Sequence, residues 1–228
     1  VAEQAVKQFF SEGLAAGEVI DVFALAGVER PELSVLSDEF LESIADRVPN
    51  ESLGIALLRK LLNDQITTRR QKNQIQAALF SDRLEGVLAR YHARQITSAE
   101  VIRQLVELAR DVRAAQKRNE DLGLSDEEVA FYDALSGGDP SSAMEADPKL
   151  AEIARDLVHE IRDDLDVDWT SRENVQAQIR VKVKRLLRRH RYEPPHSANG
   201  IGSALTLDEI CLRILAQARV LYAAWPDI

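Results

Sequence analysis

Residues 180–191, RVKVKRLLRRHR, carry seven cations and no carboxylate: Arg180, Lys182, Lys184, Arg185, Arg188, Arg189 and Arg191. The chemistry open to such a row is attraction of polyanions. Each Lys or Arg set on a phosphate releases a counterion and steepens the salt dependence of binding, and the same cations suit the carboxylates of an acidic protein partner. The rest of the chain points the other way. Net charge over the 228 residues is −9, so outside these seven cations the chain carries −16. An acidic whole argues against non-specific binding to nucleic acid, while a local basic face still permits it.

Other residue sets with chemical potential are weaker. Asp163, Asp164, Asp166 and Asp168 suggest a cation site, but their spacing is not the Asp-x-Asp-x-Asp-Gly loop of an EF-hand, and acids at a helix end are ordinarily solvated. The histidines His92, His159, His190 and His196 show neither HExxH nor another ligand spacing. No glycine-rich phosphate loop ends in Gly-Lys-Ser/Thr, and the paired acids Asp38-Glu39 sit at a helix start with no partner base. No catalytic, cofactor-binding or metal-binding residue is assigned. Arg69, Arg70 and Lys72 form a smaller basic cluster, read as a polar helix kink. Cys211 is the only cysteine, so neither an intrachain disulfide nor a cysteine-based metal site is available, which suits a reducing cytoplasm. No apolar run approaches the roughly 18 residues of a membrane span, so no membrane contact is expected. The chain opens on Val1 and its only methionine is Met144, which reads as a fragment of a longer protein or a processed product.

The elements that position these side chains read as helices throughout. In the basic stretch, Val175, Ile179, Val183, Leu186 and Leu187 fall on one side at about 100° per residue. Arg180, Lys184, Arg188 and Arg191 lie roughly opposite, with Lys182, Arg185 and Arg189 on the flank. A Thr170–Glu173 capping box predicts the start of this helix, and Trp169 before it reads as a packing anchor whose indole N–H needs a partner. The helix before it, from Asp147-Pro148, has an apolar stripe at Leu150, Ile153, Leu157, Ile161 and Leu165 and an acidic face at Glu152, Asp156, Glu160, Asp163 and Asp164. That acidic helix, 148–168, offers the basic face an intramolecular alternative to DNA or a partner.

Further capping boxes are expected at Thr97–Glu100, Ser125–Glu128 and Thr206–Glu209. Leucine and valine stripes predict helices over 51–66, 73–92, 97–112 and 206–221, preceded by three shorter helical pieces in residues 2–47. No alternating stretch is long enough for a strand. The fold expected is all-α, an irregular bundle of about nine helices with no sheet. Residues 137–146, polar and broken by Pro140, read as a linker between a helical subdomain over 1–136 and another over 147–228, with one continuous domain as the alternative.

An ordered set of stretches resembles the C-terminal helical region of the restriction (R) subunit of type I restriction-modification enzymes. It comprises LSDEFL (36–41), LLRKLLNDQI (57–66) followed by Asn73, FSDRLEGVLARYHARQI (80–96), LGLSDEEVAFYDAL (122–135) and DWTSRENVQAQIRVKVKRLLRRHRY (168–192). One departure is Glu193, which separates Tyr192 from Pro194 where the family runs Tyr-Pro-Pro; another is the longer loop 196–206. The resemblance implies a parent with a nuclease domain and two ATP-driven translocase domains upstream, a type I site-specific deoxyribonuclease. ATP and Mg are implied for those upstream parts only. The partners implied are the modification and specificity subunits, with this region as the section that docks the motor. The chain by itself is expected not to be an enzyme. The alternative is a DNA-contacting helical module using residues 171–191.

Overall fold

Leu57, Leu58, Leu61 and Leu62 recur with the spacing of one helix face, and in the computed structural model all four are buried. The structure describes residues 51–121, 123–136, 147–163, 165, 169–195 and 205–223. Over these it forms seven helices: α1 (Glu51–Arg70), α2 (Gln74–His92), α3 (Ser98–Asp121), α4 (Asp126–Leu135), α5 (Pro148–Arg162), α6 (Glu173–Arg189) and α7 (Leu207–Leu221). No strand occurs among the described residues, which are all-α as expected. The expected helical pieces in 2–47 and the linker 137–146 lie outside the described residues.

Two clusters of buried side chains organise the helices. In the first, α1, α2 and α3 pack mutually around Leu58, Leu62, Phe80, Leu84, Leu105 and Leu108. Helix α3 is apolar around much of its girth (Val101, Ile102, Leu105, Val106, Leu108, Ala109, Val112), and a helix of that kind must lie between neighbours. In the second, α4 packs on α5 and α7, and α6 bridges α5 and α7, around Phe131, Leu135, Ile153, Leu157, Ile179, Leu187 and Ile214. Burying a leucine or isoleucine contributes roughly 1.5–3 kcal/mol, and clusters of this size supply most of the drive to fold.

The clusters meet at the turn between α1 and α2. Asn73, its side chain capping α2 by accepting from the Gln76 N–H at 3.0 Å, also donates to the buried Asp133 carboxylate of α4. Gln76 donates to the same oxygen. Arg69 donates to Gln76 Oε1 at 2.7 Å and to the Val112 carbonyl at 3.2 Å, with its guanidinium over the Phe80 ring. From α7, the buried Gln217 accepts from the Gln74 N–H and donates to the Lys72 carbonyl. The stretch read as a polar kink is therefore a turn whose polar groups are satisfied across four helices. Lys72, on its exposed side, pairs with Asp126 at 2.8 Å.

Three of the four expected capping boxes form. Thr97 and Glu100, Ser125 and Glu128, and Thr206 and Glu209 each exchange both hydrogen bonds. Asp147 caps α5 with Pro148 at the first helical position. The Thr170–Glu173 box does not form. Helix α6 starts at Glu173 with Arg172 as its N-cap and no side-chain cap bond. Burial of Trp169 decides this: the chain turns over Trp169, with the Arg172 N–H donating to the Trp169 carbonyl, and Gln176 Nε2 takes up the Thr170 carbonyl at 2.5 Å.

Candidate partner-binding face

Helix α6 is held at both ends. At its start Trp169 is 1% exposed and its indole Nε1 donates to the Tyr222 carbonyl at 2.9 Å, which is the partner its N–H was expected to need. Arg219 of α7 donates to Gln176 Oε1. At its end, His190 is the C-cap and Arg191 adopts a left-handed conformation, φ 49°. The Tyr192 N–H returns to the Leu187 carbonyl and the Arg191 N–H to the Arg188 carbonyl, the paired bonds of a Schellman termination. Tyr192 is then buried, and its hydroxyl donates to the Leu135 carbonyl. Burial pushes its phenol above the ordinary range. Lys149 of α5 donates to the Arg191 carbonyl at 3.0 Å.

Between these anchors the expected stripe, Val175, Ile179, Val183, Leu186 and Leu187, is buried in full. The cations divide into groups. Arg180 and Lys184 reach Asp208, at the start of α7, at 3.2 and 3.0 Å. Hydrogen bonds from Lys184 and then Arg180 hold the Asp208 carboxyl below its ordinary range. Arg189 lies 3.6 Å from Asp156 of α5, and His190 Nε2 lies 2.8 Å from the same carboxylate. Lys182 is half-buried. Arg185, Arg188 and Arg191 are exposed and form no ion pair among the described residues.

Intramolecular ion pairs thus hold Arg180, Lys184 and Arg189, and the acidic helix α5 supplies the partner for Arg189. The main internal counter-charge, Asp208, comes from the last helix. Sequence reasoning missed it, because the Thr206–Glu209 box fixes where Asp208 sits along α7 but carries no signal about which helix it faces. His190 and Asp156 were likewise seen only as members of longer inventories.

One open cleft is lined by Tyr91, Arg94, Ile96 and Ser98, another by Arg83, Gly86, Arg90, Gln104 and Glu107, both on the α1–α3 half. Among the described residues no group of three or more His, Cys, Asp or Glu side chains is placed to hold a metal ion. No helix among them is long and apolar enough to cross a membrane. The arrangement on α6 can do one kind of chemistry: present guanidinium groups, fixed on a rigid element, to anionic groups from outside.

Comparison with known proteins bears on what those groups belong to. The family described as "Type I restriction enzyme HindI endonuclease subunit-like, C-terminal" matches residues 1–222. A putative type I restriction enzyme MjaIXP endonuclease subunit of Methanocaldococcus jannaschii is 38% identical over 186 residues, covering 81% of this chain and 18% of that protein. The type I restriction enzyme HindI endonuclease subunit of Haemophilus influenzae is 31% identical over 185 residues, covering 81% of this chain and 17% of its own length. The chain therefore spans less than a fifth of the length of these relatives. No solved structure matches. A family match over residues 1–222, together with the ordered stretches that first suggested it, places this chain in the family of C-terminal regions of type I restriction enzyme endonuclease subunits.

Proposed function

We propose that this region docks the motor and nuclease parts of a type I restriction endonuclease subunit onto the modification subunits of the complex. The observation that supports the reading is three exposed arginines without a counter-ion among the described residues: Arg185 and Arg188 on a helix whose opposite stripe is buried, and Arg191 just past its end. Arginine forks match carboxylate geometry and remain charged at any physiological pH. ATP, Mg, DNA translocation and cleavage belong, on this reading, to parts of the subunit outside this chain. No residue here is given a catalytic or cofactor role, and the assembly works in the cytoplasm alongside modification and specificity subunits.

The test is direct. Arg185→Glu with Arg188→Glu, made in the endonuclease subunit, weakens its association with the modification subunit of the same system; unchanged binding shows that this face is not the dock. A second reading is supported by the same uncompensated arginines, which would serve duplex phosphates as well as carboxylates. It predicts that the subunit's affinity for a duplex falls steeply with salt and that the slope is reduced in the double variant. Affinity flat in salt sinks it.

A further inference from the structure

Two large apolar side chains stand out of the surface among the described residues: Val181 at 58% exposure and Leu212 at 53%. Single exposed aliphatics are ordinary. These two are not independent, because they flank one seam. Val181 lies three residues before Lys184 and four before Arg185, so all three share a side of α6. Lys184 crosses to Asp208 on α7, and Asp208 lies one helical turn before Leu212 on the same side of α7. Ala177, exposed, continues the stripe backward along α6 by one turn, and Arg188 continues it forward. The outer side of α6 therefore runs from apolar (Ala177, Val181) to basic (Arg185, Arg188), with the Lys184–Asp208 pair stitching it to α7.

We infer that the α6–α7 seam is a protein-docking surface, whose partner presents aliphatic side chains to Val181 and Leu212 and carboxylates to Arg185 and Arg188. This rests on the docking reading above and narrows it. Charge complementarity commits the partner to acidic chemistry: among the described residues Arg185 and Arg188 have no counter-ion, whereas Asp208, the acid within the seam, is already held by Lys184 and Arg180. The exposed aliphatics argue for protein over nucleic acid. A phosphate backbone gains nothing from Val181 or Leu212, whereas protein interfaces centre on desolvated apolar anchors ringed by polar groups.

The experiment measures affinity of the endonuclease subunit for the cognate modification subunit at two salt concentrations. It compares wild type, Val181→Ser with Leu212→Ser, and Arg185→Glu with Arg188→Glu. The substituted side chains are exposed, and Val181→Ile with Leu212→Met serves as the conservative control that keeps wild-type affinity. The serine pair is expected to lose about tenfold or more, with its salt dependence unchanged, and the glutamate pair to lose a comparable factor with its salt dependence flattened. If the glutamate pair weakens binding and the serine pair does not, docking stands and the seam falls. If neither changes, both fall. If the serine pair instead abolishes self-association of the endonuclease subunit and leaves modification-subunit binding intact, the seam belongs to a second copy of this chain and the inference is overturned. A fall in affinity for a 30-bp duplex alone, about tenfold in the glutamate pair at fixed salt, likewise overturns it in favour of DNA.

Discussion

Asn73 Nδ2 lies 2.6 Å from Asp133 Oδ2, joining the α1–α2 turn to the last turn of α4. Gln76 Nε2 meets the same oxygen at the same distance. Asp133 is 3% exposed, so these bonds are made away from water. Asp133→Ala leaves two amide donors buried without that acceptor. Each unsatisfied group costs about 1–3 kcal/mol, and the expected loss for the two is roughly 2–6 kcal/mol. Asp133→Asn keeps an acceptor oxygen and loses less. Urea unfolding of the two variants checks the order; an Ala variant as stable as wild type would remove the network from any account of how the two clusters are joined.

Arg94 and Arg191 occupy left-handed backbone positions at φ 56° and 49°. Each follows a helix and closes a Schellman pair, Gln95 N–H to Arg90 and Arg94 N–H to Tyr91 in the first case. A side chain with a Cβ is strained there and glycine is not. Arg94→Gly and Arg191→Gly should each raise stability by roughly 0.5–1 kcal/mol, the relief of φ strain offsetting the added freedom of the unfolded chain. Thermal melts decide it, and destabilisation by both changes contradicts the termination geometry. Arg191→Gly also removes one uncompensated cation, so on the docking reading it stabilises the fold while weakening association.

Trp169→Phe retains an apolar ring at the start of α6 and deletes the donor to the Tyr222 carbonyl. The expected cost is about 1–3 kcal/mol, from the buried acceptor left without that donor and the smaller ring. Trp169→Ala costs roughly 3–5 kcal/mol. A Phe variant as stable as wild type, read by equilibrium denaturation, would show that the indole N–H contributes nothing.

Asp208, Glu100 and Glu209 are all held below their ordinary carboxyl values. For Asp208 the cause is hydrogen bonding from Lys184 and then Arg180; for Glu100 and Glu209 it is hydrogen bonding from Thr97 and Thr206, the backbone N–H first. A carboxyl depressed in the folded state contributes stability that is present above its unfolded value and lost as pH falls through the folded one. Stability should therefore decline as pH drops below the ordinary values, 3.8 for Asp208 and 4.5 for the two glutamates. Asp208 and Glu209 are exposed and Glu100 is no more than half-buried, so the decline is shallow. Carboxyl NMR titration gives the check: a midpoint for Asp208 at or above 3.8, or one unmoved by Lys184→Met, contradicts the pairing.

The helices were legible in the sequence because their signals are local. Leu57, Leu58, Leu61 and Leu62 repeat with the helical period, and Ser125–Glu128 and Thr206–Glu209 are complete within four residues. The Thr170–Glu173 box satisfies the same local rule and fails because Trp169, two residues before Ser171, is pulled into the core and spends the intervening residues on a turn. The five buried positions of α6 were read correctly from period alone. The fate of its seven cations was not, since which arginine meets an acid depends on the register of α6 against α5 and α7. A sequence shows that Asp156 and Asp208 exist on apolar-striped helices; only packing brings the first to Arg189 and the second to Lys184. Arg69 shows the same limit, reading as part of a polar helix kink and in fact donating to Gln76 of α2 and the Val112 carbonyl of α3.

The two anchors of α6, Trp169 on the Tyr222 carbonyl and Tyr192 on the Leu135 carbonyl, have a consequence for association thermodynamics. Binding costs free energy wherever segments must be ordered. A helix fastened at both ends to its neighbours' backbone has already lost that freedom on folding, so a partner meeting Arg185 and Arg188 orders only side-chain rotamers. The affinity available to a short basic row is then set by its contacts rather than consumed in arranging the chain that carries them.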